Sequence, residues 1–255
     1  MLLTIDIGNT NVTLGAYNSN ILSFTARLST DSGKTSDQYA IEIKDVLSLY
    51  GQSFEDIEDC IISSVVPAVT ESVGGAVSKL CHIVPLILGP GVKTGLNIKI
   101  DNPAQLGSDL VAEAVGALQE YPLPQIIIDM GTATTFSVID QHGFYVGGMI
   151  TAGMAISAEA LVRSTSQLSK VDFEKPKKLI GTNTVDCIKS GLMHATACSI
   201  DGMAERIEAE LGQPCTVIIT GGLAGVIKPL CKRGMILDED LILKGLLHIY
   251  HKNCR

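Results

Sequence analysis

Charge is sparse in this chain, and positive charge is the scarcer sign: 19 Lys and Arg stand against 27 Asp and Glu in 255 residues, a formal net charge of −8. No basic run is longer than a pair such as Lys177–Lys178. Non-specific nucleic-acid binding needs a dense positive surface, so that class of partner is excluded. An acidic protein that binds an anion must do so locally, with backbone amides, a metal ion or one placed cation. The seven cysteines are odd in number and contain no C-x-x-C pair, against both a zinc site and a disulfide framework, and the expectation is reduced thiols. No apolar stretch approaches the ~20 residues of a membrane span. The opening "MLLTIDIGNT" has no basic leader and reaches Asp6 too early for a secretory signal. A cytoplasmic protein with no membrane contact is expected.

What is present is apolar. A hydrophobic fraction of 46% with 18% charged residues describes a well-packed globular chain. Two stretches stand out, "TIDIGNTNVTLG" from Thr4 and "IIDMGTATTFSV" from Ile127. Each is an apolar run ending in Asp, then a small-residue turn, then an alternating run. Asp6 and Gly8 match Asp129 and Gly131, and Thr10 and Thr134 are expected to close the two turns. "LLTIDI", "VTLGAYNSN" and "ILSFTARLST" read as three antiparallel strands. Tyr39, Ile43, Val46, Leu47 and Tyr50 have helical spacing over 35–50. "DCIISSVV" is a central strand, and Pro67 opens a helix through about Lys79. "PLILGPGVKTG" is a strand entering a Gly/Pro loop, and "NPAQLGSDLVAEAVGALQEY" a helix whose start Pro103 defines loosely. From Gln125 the order restarts, with strands "QIIIDM", "TTFSVID" and "FYVGGMITAG", helices over 153–164, 184–211 and about 221–233, and a strand "TVIITGG" between the last two. The break near Tyr121–Pro124 gives two α/β domains, 1–120 and 121–255.

Hairpin turns built of small residues let backbone amides approach a phosphate closely. Two such turns facing one cleft would grip both ends of a triphosphate, with their carboxylates holding Mg²⁺ or a monovalent ion. Two ordinary hairpins with polar turns are the plain alternative.

The duplicated D-x-G turns and the late "TGG" resemble the acetate kinase, sugar kinase, Hsp70 and actin superfamily. In order, "DIGNTN" (6–11), "GPGVKTGL" (89–96), "DNPAQLGSD" (101–109), "DMGTATT" (129–135), "GGMITAG" (147–153), "GTNTVDCIKSG" (181–191) and "TGG" (220–222) resemble the type III pantothenate kinases, and "LDEDLILKGL" (237–246) fits that family's last segment. The resemblance implies two duplicated actin-like, ribonuclease H-like domains with a nucleotide cleft between them. It implies transfer of phosphate from ATP to the 4′-hydroxyl of pantothenate, the first step towards coenzyme A, by a homodimer that needs Mg²⁺ and a monovalent cation, K⁺ or NH₄⁺.

Carried onto this chain, the resemblance makes Asp109 the general base. It makes Asp6, Ile7, Gly8, Asn9, Thr10, Asn11, Val12 and Thr13 the first nucleotide segment, with Asp6 organising Mg²⁺ through water. Thr132 becomes an ATP contact, Gly221 and Gly222 lie against the adenosine, and Asp129 ligates the monovalent cation. Ile100, Gly107, Ser108, Asp109, Leu110 and Thr184 fall at acceptor positions, with Thr184 reaching pantothenate across the dimer interface. Three positions depart from the family pattern: Leu110 stands where Arg is expected, Ile100 where Tyr is, and Ala152 where Pro is. A hydrogen bond to a charged group is worth about 1.5–3 kcal/mol, so losing the Arg weakens acceptor binding by roughly 10–150-fold. Lys93 and Arg163 are the candidate replacements for the pantothenate carboxylate. A kinase for an uncharged acceptor, and an ATP-binding accessory or regulatory protein without turnover, are the alternative readings.

Overall fold

The computed structural model describes residues 1–164 and 172–254. The first half runs β1 (Leu2–Ile7), β2 (Asn11–Asn18), β3 (Ile21–Ser29), α1 (Ser36–Leu49), β4 (Asp59–Ser64), α2 (Pro67–Cys81), β5 (Leu86–Ile87), β6 (Asn97–Ile98) and α3 (Ser108–Glu120). The second runs β7 (Gln125–Met130), β8 (Ala133–Ile139), β9 (Phe144–Ala152), α4 (Met154–Arg163), α5 (Thr184–Leu211), β10 (Thr216–Thr220), α6 (Ala224–Ile227), β11 (Ile236–Leu237) and α7 (Leu241–Asn253). The two sheets have the same plan. One is ordered β3-β2-β1-β4-β5 and the other β11-β10-β7-β8-β9, extended at its far edge by β6. Each begins with an antiparallel meander and continues with strands parallel to the first. The expected duplication is therefore present; the first half holds the strands and helices outlined from the sequence together with the short β6, and the second adds a strand, β11, and a helix, α7, beyond those outlined.

The local reasons are legible. β1 and β7 are near-continuous apolar runs because both faces of each are covered. α1 starts at a capping box between Thr35 and Gln38 and buries Tyr39, Ile43 and Leu47, one residue per turn. Pro67 occupies the first turn of α2, where its missing N–H costs nothing. The 28-residue α5 is capped by Asn183 and stops at Gly212, whose φ of +70° suits the left-handed C-terminal cap. The helix expected over 221–233 is broken: α6 is one turn, continued by a 3₁₀ turn at Lys228–Leu230, where Pro229 cannot donate to an α-helical ladder. The residues Pro103–Gln105 likewise form a separate 3₁₀ turn, so α3 begins only at Ser108.

The chain divides into two units, 1–96 with 101–119 and 240–255, and 97–100 with 120–239. β6 with its flank falls in the second unit, where it pairs with β9, and α7 falls in the first. In that unit Leu3, Ile5 and Ile7 point into a core shared with Tyr39, Ile43 and Val73, while Leu2 and Tyr17 meet Leu243 and Leu247 of α7 on the opposite face. Truncating a buried leucine such as Leu243 to Ala typically costs about 2–5 kcal/mol, so α7 is an integral layer of the first unit. In the second unit Ile126, Ile128 and Met130 pack against Met193, Ala197 and Ile200 of α5. All seven cysteines are free thiols, as expected, and burial pushes the Cys60 thiol well above its ordinary value. Among the described residues no helix is long and apolar enough to cross a membrane.

Candidate functional site

The first turn is held open by its own backbone. β1 and β2 stay in register through Asp6–Thr13 and Ile7–Val12, and the Gly8 amide then donates to the Asn11 carbonyl at 3.0 Å. β3 braces the tip, for Thr30 donates its hydroxyl to the Gly8 carbonyl at 2.7 Å and its amide to the Thr10 carbonyl at 3.0 Å. Asn9, Thr10 and Asn11 are exposed, Asp6 and Thr13 half-buried. Ile7 and Val12 are fully buried in the core, so only their backbone is available to a nucleotide.

Asp109 sits in the first turn of α3. Its Oδ1 accepts from the Leu110 amide at 2.8 Å, and a Cβ on Gly107 would collide with that same oxygen, so glycine there makes room for the carboxylate. Burial raises the Asp109 carboxyl above the usual carboxylate range, and backbone hydrogen bonds from Leu110 and its own amide only partly offset this. The result is a carboxylate more basic than a solvated one and ready to take a proton. Ser108 is committed elsewhere. Its hydroxyl donates to the Ser64 carbonyl at 2.9 Å and accepts from the Ser64 amide at 3.1 Å, fastening the start of α3 to the end of β4. It therefore sets where Asp109 stands. Leu110 lends the same carboxylate its amide, a backbone bond that does not depend on which side chain stands at 110.

The second turn is built differently. Asp129 pairs with Thr135 and Met130 with Thr134, leaving residues 131–133 as a loop one residue shorter than 8–11. By register Thr134 thus matches Val12, and the expected match with Thr10 fails: Thr134 is buried in β8 while Thr10 is exposed at the tip. Three glycines close around this turn. A Cβ on Gly131 would lie 3.0 Å from Asp129 Oδ2, one on Gly221 would collide with Asp129 Oδ1, and one on Gly153 would collide with the Thr132 carbonyl. Gly221 also has φ +93°, which favours glycine on its own account. The "TGG" segment is thereby joined to the Asp129 turn, while Gly222 has open space around it.

The remaining predicted positions are dispersed. Thr184 is exposed in the first turn of α5 and, with Ala152, Thr151, Phe136, Leu161 and Thr196, lines a cavity of about 580 Å³ in the second unit. Ile100 belongs to the second unit and Leu110 to the first; both are half-buried. Lys93 is exposed in the first unit, and Arg163 is exposed in the last turn of α4. Sequence reasoning missed Thr30 and Gly153. A glycine just before an apolar helix is a usable N-cap signal for Gly153, whereas nothing local marks Thr30.

The donor sets fit the ions expected of them. Mg²⁺ is characteristically held by one or two carboxylates together with substrate phosphates, and Asp6 supplies one carboxylate beside a loop of exposed amides. A single carboxylate, Asp129, beside a turn of carbonyl oxygens offers the hard oxygen ligands that an alkali or ammonium ion accepts. Among the described residues no group of three or more His, Cys, Asp or Glu could hold a metal by itself.

The chain is 42% identical over 253 residues to the type III pantothenate kinase of Halalkalibacterium halodurans, covering 99% of this chain and 100% of that one. It is 42% identical to that of a Geobacillus species, covering 99% and 98%. Among solved structures, the activator of 2-hydroxyisocaproyl-CoA dehydratase from Clostridium difficile, with ADPNP bound, superimposes at a TM-score of 0.57 with 14% identity, over 98% of this chain and 93% of that one. That likeness shows the shared fold, two duplicated actin-like domains. A family model described as type III pantothenate kinase matches residues 2–206, and the chain belongs to that family.

Proposed function

We propose that Asp109 is the general base of this enzyme, taking the proton from the 4′-hydroxyl of pantothenate as the γ-phosphoryl group of ATP is transferred. The overall reaction is that of an ATP-dependent pantothenate kinase, the first step of coenzyme A biosynthesis. Phosphoryl transfer is mostly positioning and charge stabilisation, so one placed base and a cradle of amides are the parts the protein must supply. The observation that carries the assignment is the Asp109 carboxyl itself, which burial makes more basic, held by the Leu110 amide over a glycine at 107.

In this reading the first turn, with Asn9, Thr10 and Asn11 exposed at its tip, binds the ATP phosphates, Asp6 holds Mg²⁺ through water, and Gly221 and Gly222 lie against the adenosine. Bound Mg²⁺ supplies charge neutralisation on the phosphates. Asp129 holds K⁺ or NH₄⁺, Thr132 touches ATP, and Thr184 reaches the acceptor of the partner protomer in a cytoplasmic homodimer. With Leu110 unable to donate, Lys93 meets the pantothenate carboxylate. Its place in the same unit as Asp109 favours it over Arg163, which is equally exposed.

The test is coupled ADP release with saturating Mg-ATP and K⁺ while pantothenate is titrated. Saturable turnover is the expected result. ATP binding without pantothenate phosphorylation would overturn the reading, and turnover of an uncharged acceptor in its place would favour the apolar pair Ile100 and Leu110 as its selector.

A further inference from the structure

The last helix grips two segments of the first unit that lie far from it in sequence. At its end, Asn253 Oδ1 accepts from the Lys93 amide at 3.0 Å and Nδ2 donates to the Lys93 carbonyl at 3.0 Å. The same Nδ2 donates to the Ile249 carbonyl at 2.8 Å, which fixes the side chain to the helix that carries it. One residue earlier, the stem of Lys252 lies across Gly95: a Cβ there would sit 2.7 Å from Lys252 Cε, and Gly95 has φ +77°. Two backbone bonds and a glycine-tight contact therefore pin the loop 89–96 to α7. Further back along the helix, Gly245 lets α7 approach α3 backbone to backbone. A Cβ on Gly245 would collide with the Ala112 carbonyl, and one on Gly116 would stand 2.5 Å from the Leu241 carbonyl. Since α3 starts at Ser108 and Asp109, one rigid helix contacts both the base-bearing helix and the loop that carries Lys93.

We infer that α7 is a brace that registers the acceptor-binding loop against the general base, and that Asn253 is a positioning residue for pantothenate. The inference rests on Lys93 as the partner of the acceptor carboxylate. Lys93 is held by its backbone, so its side chain stays exposed for the ligand while the clasp fixes where it emerges. A substrate clamp misplaced by about 1 Å loses much of its value, because an oriented contact depends on geometry that was set beforehand.

Two variants and two readouts test this. Asn253→Ala removes both bonds to Lys93, and Asn253→Asp keeps the acceptor for the Lys93 amide while losing the donor to its carbonyl. The KM for pantothenate is expected to rise about tenfold in Asn253→Ala, the scale of one or two modest hydrogen bonds. Asn253→Asp should fall between that variant and the wild type, with kcat and the KM for ATP changing by less than about twofold in both. Hydrogen exchange at the Lys93 amide should accelerate in Asn253→Ala while exchange in β1 and β4 is unchanged. A pantothenate KM that does not move, in an enzyme active on pantothenate, overturns this inference alone. So does a parallel loss in kcat and both KM values with faster exchange throughout the unit, which is what a merely structural residue gives. A wild type that phosphorylates no pantothenate overturns the functional reading and this inference together.

Discussion

The two D-x-G turns began as copies and have become different devices. In the first, residues 9–11 stand exposed, with Gly8 in ordinary contact only (a Cβ would lie 3.4 Å from the Asn11 carbonyl) and Thr30 bracing the tip from just beyond β3. In the second, the loop is one residue shorter, Gly153 and Gly221 are packed so closely on Thr132 and Asp129 that a Cβ would collide, and Gly131 is tight against Asp129. An open turn presents amides to a group that arrives and leaves. A turn packed shut holds its carboxylate and carbonyls in fixed geometry, which suits an ion that stays through turnover. The two hairpins share one plan, and the packing around their turns differs.

The largest effect that would sharpen this contrast is Asp6→Asn. It should lower kcat by about 10²–10³-fold, the scale of losing one preorganised electrostatic contact at a reacting centre. Thermal unfolding should stay near that of the wild type, because the open turn carries little packing. Unfolding at wild-type temperature with undiminished turnover would remove Asp6 from the phosphate site. Next is Gly221→Ala, which adds a Cβ against Asp129 at a φ of +93° and should destabilise by about 1–3 kcal/mol in denaturant melts. Smallest is Gly8→Ala, for which the same melts should show a change within about 0.5 kcal/mol, while the KM for ATP rises. Equal stability losses in the two glycine variants would contradict the division into an open turn and a packed one.

Much of this arrangement could be read from the sequence. Apolar runs of strand length, Pro67 at a helix start and the repeated Asp-x-Gly announced two meanders and the helices behind them, because these signals are local. Asp109, Asp6 and Asp129 could be proposed as site residues for the same reason, as each lies near the end of an element within a short motif. What was not legible depends on distant packing. No helix was expected over α7, and that it covers Leu2 and Tyr17 at the other end of the chain follows from burial. Thr10 and Thr134 were both expected to close their turns, and the register separates them: Thr134 pairs with Met130 inside β8, where Val12 pairs with Ile7 in the first hairpin. Ser108 sits inside an acceptor motif, yet its hydroxyl is spent on β4.

The central claim is that Asp109 takes the proton, and Asp109→Asn tests it most directly. The amide keeps the shape and the acceptor for the Leu110 amide but cannot act as a base. Its stability follows from the direction of the pKa shift. A carboxyl raised by burial favours its neutral form in the folded state, so the cost of its charge is absent below the unfolded pKa. That cost develops fully as pH rises through the folded one. Asp109→Asn should therefore melt at or above the wild-type temperature at neutral pH, with the difference vanishing in acid. Measured at saturating ATP and pantothenate, phosphopantothenate formation by this folded variant should fall by about 10²–10⁴-fold, the usual contribution of a general base, with ATP binding unchanged. Turnover at the wild-type rate would contradict the account and send the search for the base to another residue.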